Sequence, residues 1–141
     1  MIAIVDDDDA VRRALIRLVR ALSYRCADFP SGASFIESLG DMTPDCVLLD
    51  YHMPEANGVQ VIKSMKMAGF SIPAIMMSGF DRPELRMECL NAGAAMYLLK
   101  PLTAATLSDA FGRALQSGRD LADPNKAKKK TILRCVPAFM I

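Results

Sequence analysis

The sequence predicts an α/β fold, a five-stranded parallel sheet with helices on both faces, built as a β-α unit repeated five times. Three observations predict it. Short apolar runs alternate with segments of helical periodicity, one pair per roughly 20–25 residues, as βαβ units require. The runs Met1–Val5, Cys46–Leu49 and Pro73–Met77 have no polar break, which marks strands buried on both faces of a parallel sheet. Polar residues stand at the carboxyl ends of four strands: Asp6 and Asp7, Asp50, Ser78 and Lys100.

The first strand, Met1–Val5, ends in Asp6-Asp7-Asp8-Asp9. The next segment puts Val11, Leu15, Leu18, Val19 and Leu22 on one helical face, with Arg12, Arg13, Arg17 and Arg20 mostly off it. Asp8 or Asp9 can cap that helix. Tyr24–Phe29 is a weaker strand of mixed character, expected at a sheet edge. Ser31 can cap a short helix through Leu39, with Phe35, Ile36 and Leu39 inward.

The third strand runs into Asp50, and a loop with Pro54, Asn57 and Gly58 follows. Gly58 starts a third helix carrying Val59, Ile62, Met65 and Lys66 at helical spacing, and Gly69 can end it. Pro73–Met77 is the fourth strand and stops at Ser78-Gly79. Asp81, Pro83 and Glu84 make a capping-box-like start for a helix to about Ala92, with Gly93 as its C-cap. Ala95–Leu99 is the last strand and ends at Lys100-Pro101. From Thr103, Leu107, Phe111, Ala114 and Leu115 mark a closing amphipathic helix. Met76, Met77 and Met96 fall in strands and are expected in the core.

The chain has 141 residues, 52% of them apolar. That suits one domain with a real core and excludes wholesale disorder. No apolar run approaches the roughly 18–20 residues of a membrane span, and the start lacks the layout of a secretory signal. Cys26, Cys46, Cys89 and Cys135 are widely spaced and read as small hydrophobes in a reducing compartment. A cytoplasmic location is the expectation. Residues 1–118 carry 11 Lys+Arg against 14 Asp+Glu; residues 119–141 carry 6 against 2. The body is slightly acidic and the tail basic.

Asp50 alone allows two readings, a turn cap or a ligand-binding group at a strand's carboxyl end. The other strands favour the second. In one parallel sheet all four polar strand ends lie on one edge; in a doubly wound sheet of order 2-1-3-4-5, strands 1 and 3 meet at the switch point, and Asp7 and Asp50 would then face each other. Clustered carboxylates repel and need a cation, here a hard, oxygen-liganded one such as Mg²⁺. An amine, a hydroxyl and a metal together suit a phosphoryl group. A carboxylate can itself be the nucleophile.

The series IVDDDDAVRRAL, VLLDYHMPEANG, AIMMSG and AAMYLLKP resembles the receiver domain of bacterial two-component response regulators, the FixJ-type subclass above all, over about residues 1–118. The resemblance implies a flavodoxin-like (CheY-like) fold and a phosphorylation-dependent switch. It implies Asp50 as phospho-acceptor and Asp7 as a direct Mg²⁺ ligand, with Asp6 acting through water or hydrogen bonds. His52 would lend its backbone carbonyl to the metal. Ser78 matches the hydroxyl that binds the phosphoryl group, Lys100 the lysine that pairs with aspartate and then phosphate, and Tyr97 the aromatic switch position. The Lys100–Pro101 bond would be cis. A sensor histidine kinase is the implied donor. Helix Asp81–Ala92, strand Ala95–Leu99 and the last helix form the surface that a second copy or an output partner would read.

Other assignments are blander. The His52 side chain is expected in solvent, with a pH-sensitive influence on dephosphorylation as its functional alternative. Phe80 reads as a loop residue or a shield over the phosphate. Residues 119–141 depart from the family pattern. Lys126–Lys130 reads as a solvated linker, without the interleaved aromatics of a nucleic-acid binder. Thr131–Ile141 is apolar enough to dock somewhere or to be a remnant. Two rivals remain. Asp6-x-Asp8 also resembles the nucleophile motif of haloacid-dehalogenase-type phosphatases, with Asp6 as nucleophile, but only Asp109 and Asp120 follow the lysine closely. A pseudo-receiver, a pure interaction module, is opposed by intact Asp7, Asp50, Ser78 and Lys100.

Overall fold

A computed structural model describes residues 1–122. Five strands, β1 (Ile2–Val5), β2 (Cys26–Phe29), β3 (Cys46–Asp50), β4 (Ala74–Ser78) and β5 (Met96–Leu99), alternate with helices α1 (Asp9–Ala21), α2 (Gly32–Ser38), α3 (Gly58–Met67), α4 (Pro83–Ala92) and α5 (Ala104–Ala122). The sheet order is β2-β1-β3-β4-β5 and every pairing is parallel. The expected fold and topology are both observed.

Alternation along each strand divides the core in two. Ala3 and Val5, Val47 and Leu49, Ala74 and Met76 face α2, α3 and α4, where Phe35, Ile62 and Leu85 complete one layer. Ile2 and Ile4, Cys46 and Leu48, Ile75 and Met77 face α1 and α5, where Val19 and Phe111 complete the other. Successive side chains point to opposite faces, so strands covered on both sides must be apolar at every position. Met96, on edge strand β5, is only half-buried. Among the described cysteines, Cys26, Cys46 and Cys89 are free. Burial pushes the Cys46 thiol up to about 12 and the Cys89 thiol up to about 11, so neither is a reactive thiolate at neutral pH.

Local chemistry sets the helix ends. Asp8 accepts from the N–H groups of Ala10 and Val11 and caps α1. Ser31 caps α2 through Ser34 N–H. Asn57 and Gln60 form a reciprocal capping box on α3, a signal the sequence reading passed over. The expected Asp81 cap on α4 is not formed. Pro83 is the first helical residue and its ring drives the residue before it out of the helical region. Arg82 is therefore the N-cap, extended at φ −124 and ψ 119, with no side-chain bond. Gly69 (φ +88) and Gly93 (φ +108) turn the chain after α3 and α4. Helix α5 runs to Ala122, past residue 118. The basic run Lys126–Lys130, the apolar stretch Thr131–Ile141 and Cys135 lie outside the described residues.

Candidate functional site

β1 and β3 are hydrogen-bonded neighbours, with Val5 paired to Leu49. The next residues, Asp6 and Asp50, therefore emerge side by side from the carboxyl edge. Asp6, Asp7 and Asp50 each offer a carboxylate oxygen within 4.8 Å of the others. Asp7 is exposed, whereas Asp6 is fully buried and Asp50 is 4% exposed. Lys100 leaves β5 and reaches across the end of β4. Its Nζ lies 2.9 Å from Asp6 Oδ2 and 3.1 Å from Asp50 Oδ1. Residues 6, 7, 50 and 100, far apart in the chain, thus meet on one rim, as the topology requires.

Asp6 can be buried because every polar atom it has is engaged. Its N–H donates to the Phe29 carbonyl, its carbonyl accepts from Arg12, Oδ1 accepts from Asp8 N–H and Oδ2 from Lys100. An unpaired buried carboxylate would cost several kcal/mol. Asp50 is less favoured. Burial raises its pKa, Asp6 and Asp7 raise it further, and Lys100 opposes them. For Lys100, burial works against the charge, but the bond to Asp6 and the field of Asp50 prevail and its pKa is raised. Three carboxylates against one ammonium leave net negative charge in a partly dry site. Hard oxygen donors at this spacing fit a small divalent cation.

Ser78 ends β4 between these groups and is fully buried. Its Oγ accepts from Phe80 N–H at 3.1 Å, and its carbonyl accepts from Lys100 N–H. Tyr97, 6% exposed, points inward and donates its hydroxyl to the Phe80 carbonyl at 2.6 Å. The Lys100–Pro101 peptide is cis. The His52 side chain is exposed, as expected, and sits edge-to-face between Tyr51 (4.7 Å) and Phe80 (4.9 Å). Among the described residues no backbone N–H donates to the His52 carbonyl. Phe80 is 53% exposed.

Sequence reasoning missed two partners of the site. Arg12, read as off the apolar face, binds β2, the loop after β1 and its own helix at once. Tyr51, next to Asp50, donates to Glu88 on α4 at 3.3 Å. The phosphatase rival has no support: both Asp6 oxygens are already occupied, and Asp109 lies exposed on α5, paired with Arg113. Asp120 also lies within α5, away from any strand end.

A doubly wound sheet of this order, with acids and an amine gathered at its switch point, is an α/β domain of the class that binds ligands at the carboxyl edge of its strands. The family model for the response regulator receiver domain matches residues 2–111, and the chain belongs to that family. It is 35% identical over 116 residues to the response regulator protein TmoT of Ectopseudomonas mendocina, covering 82% of this chain and 53% of that one. It is 30% identical over 120 residues to the transcriptional regulatory protein FixJ of Azorhizobium caulinodans, covering 82% and 57%. The crystal structure of the receiver domain of NtrX from Brucella abortus superposes with a TM-score of 0.76 at 23% identity, covering 82% and 98%, a likeness of fold. The chain spans about half the length of these two relatives. No described helix is long and apolar enough to cross a membrane.

Proposed function

We propose that this domain takes a phosphoryl group from the phosphohistidine of a sensor histidine kinase onto Asp50 and shifts shape in response. One observation carries the reading. A nearly buried carboxylate stands 3.1 Å from an ammonium, beside two further acids, at the carboxyl edge of the sheet. Mg²⁺ is the fitting cation; Asp7, Asp50 and the backbone carbonyl of His52 would hold it, with Asp6 acting through water or hydrogen bonds, and when bound it would neutralise charge on phosphoryl oxygens. An Asp50 oxygen attacks phosphorus in line as the P–N bond breaks and the imidazole keeps the electron pair. Lys100, already between Asp6 and Asp50, is placed to pair with a phosphoryl oxygen. The Ser78 hydroxyl accepts one bond and keeps its own proton to donate to the same group. If Ser78 turns towards the phosphate, the Phe80 amide loses its acceptor. The loop it begins then moves, and the Tyr97 hydroxyl moves with the Phe80 carbonyl. This biases two pre-existing arrangements.

An apolar groove of about 340 Å³ between α1 (Val11, Leu15, Leu18) and Pro101–Leu102 has Lys100 at its edge and supports kinase docking beside the acceptor. Exposed Met87, Leu90 and Leu99 support a homodimer or output contact on the α4–β5–α5 face. The receiver unit is residues 1–118, with 119–141 as a basic then apolar tail, a linker or a remnant. It works in the cytoplasm, with no direct binding of nucleic acid or membrane. The domain is a phospho-acceptor that assists its own phosphorylation and dephosphorylation. The test is a small-molecule phosphodonor with Mg²⁺, read by intact mass. The wild type gains one phosphoryl group and Asp50→Asn gains none. Labelling of Asp50→Asn, or none of the wild type, overturns the reading.

A further inference from the structure

Arg12 sits in the first turn of α1. Its side chain is only 14% exposed. Its guanidinium makes three short bonds, to β2, to the loop after β1 and to the first residue of its own helix. Nε donates to Asp28 Oδ2 on β2 at 2.8 Å, Nη1 to the Asp6 carbonyl at 2.9 Å, and Nη2 to Asp9 Oδ1 at 2.6 Å. Edge strand β2 also holds Asp6 directly, because Asp6 N–H donates to the Phe29 carbonyl at 3.2 Å. The loop between β1 and α1 is thus held at its start by Asp6, and one turn later by Asp9. Between them Asp8 N–H closes back on Asp6 Oδ1.

We propose that Arg12 is a positioning residue: it mounts the Asp6–Asp9 loop on β2 so that the Asp6 and Asp7 carboxylates are aimed at Asp50 before any cation arrives. The inference rests on the reading of that cluster as a Mg²⁺ site. Electrostatics points the other way, which makes the role testable. A positive charge this close repels a divalent cation, so a group that acted only through its charge would weaken binding. A rigid fork that orders the ligands strengthens it. Lysine keeps the charge but has one nitrogen, which cannot span three acceptors placed around a planar fork.

The experiment titrates Mg²⁺ calorimetrically into the wild type, Arg12→Gln and Arg12→Lys. Hydrogen exchange at the Asp8 amide is followed in the absence of metal. Both variants are expected to raise the Mg²⁺ Kd about tenfold, the loss typical when a group supporting a metal ligand is removed, and to speed Asp8 exchange. Tighter Mg²⁺ binding by Arg12→Gln, or wild-type binding by Arg12→Lys, overturns the proposal. If the wild type binds no Mg²⁺, the cation-site reading fails by itself, and the Asp8 amide still decides whether Arg12 mounts the loop. Asp28→Ala covers the case of a poorly folded Arg12 variant. It leaves Arg12 in place and removes its outer anchor, so faster Asp8 exchange is expected there, and an unchanged rate overturns the proposal.

Discussion

Helices α1 and α4 both follow a strand end that belongs to the site, yet they are held very differently. α1 is capped twice by Asp8, carries Asp9 in its first turn, and is tied by Arg12 to β2 and the loop after β1. α4 has no side-chain cap, buries only Leu85 and Cys89, and leaves Met87 and Leu90 exposed. Its polar ties come from outside: Tyr51 to Glu88, and Lys66 Nζ to the Ala92 carbonyl at 2.8 Å. The difference matches two jobs. Carboxylates that share a cation must be aimed in advance, whereas an element that reports on a modification needs alternative positions of similar energy.

The largest expected effect concerns the acid cluster itself. Burial and then Asp6 raise the Asp50 pKa, so the folded chain keeps that proton to higher pH than the unfolded chain. Stability therefore falls as pH rises from the ordinary carboxylate value of about 4 towards the raised folded value. Ionised Asp50 weighs against folding at neutral pH. Asp50→Asn should raise the melting temperature at pH 7 without metal, and the advantage should vanish near pH 4. A lower melting temperature would show that Lys100 more than compensates Asp50, and that the site is not strained towards a cation.

Next comes a matched pair at the helix starts. Asp8→Ala removes two bonds to α1 N–H groups and should cost about 1 kcal/mol. Arg82→Ala, at the same position on α4, makes no bond to lose and should stay within about 0.5 kcal/mol. Equal costs in chemical denaturation would erase the contrast. Of similar or smaller size is Tyr97→Phe, which deletes the hydroxyl bond to the Phe80 carbonyl. The loss should be about 1 kcal/mol or less. Faster amide exchange is expected in the β4–α4 loop, with none in α1. Spread of that exchange into α1 would mean that the two halves are one unit.

The same contrast explains what could be read from the sequence. Unbroken apolar runs fix buried strands, and polar residues after each of them fix the site's edge. Asp6, Asp7, Asp50, Ser78 and Lys100 could therefore be gathered from spacing and topology alone. Asp81 misled because a capping-box pattern was weighed above the constraint of Pro83, which sets the helix start one residue later. Arg12 was missed because its partners are split. Asp9 lies three residues away on the helix and was findable as an i,i+3 pair, but Asp28 is on another strand and the Asp6 carbonyl belongs to the backbone. The Tyr51–Glu88 bond spans 37 residues, beyond any local pattern. The left-handed backbone of Ser23 (φ 69) and Glu55 (φ 70) carries no signal either, since neither is the glycine that such turns favour.

The smallest effect is also the most direct test of why α4 is loose. Arg82→Ser would place a capping hydroxyl where the backbone is already extended at φ −124 and ψ 119. Pro83 at the first helical position has no N–H to satisfy, so the hydroxyl is free for the amides of Glu84 and Leu85. The gain should be about 0.5–1 kcal/mol, seen as slower amide exchange in α4 alone. If phosphoryl acceptance draws on arrangements in which the start of α4 is displaced, the same variant should also accept more slowly from a small-molecule donor. The factor cannot exceed that of the exchange, because one equilibrium limits both. Slower exchange with an unchanged acceptance rate would place the displaced arrangement after the chemistry, and confine the looseness of α4 to the output step.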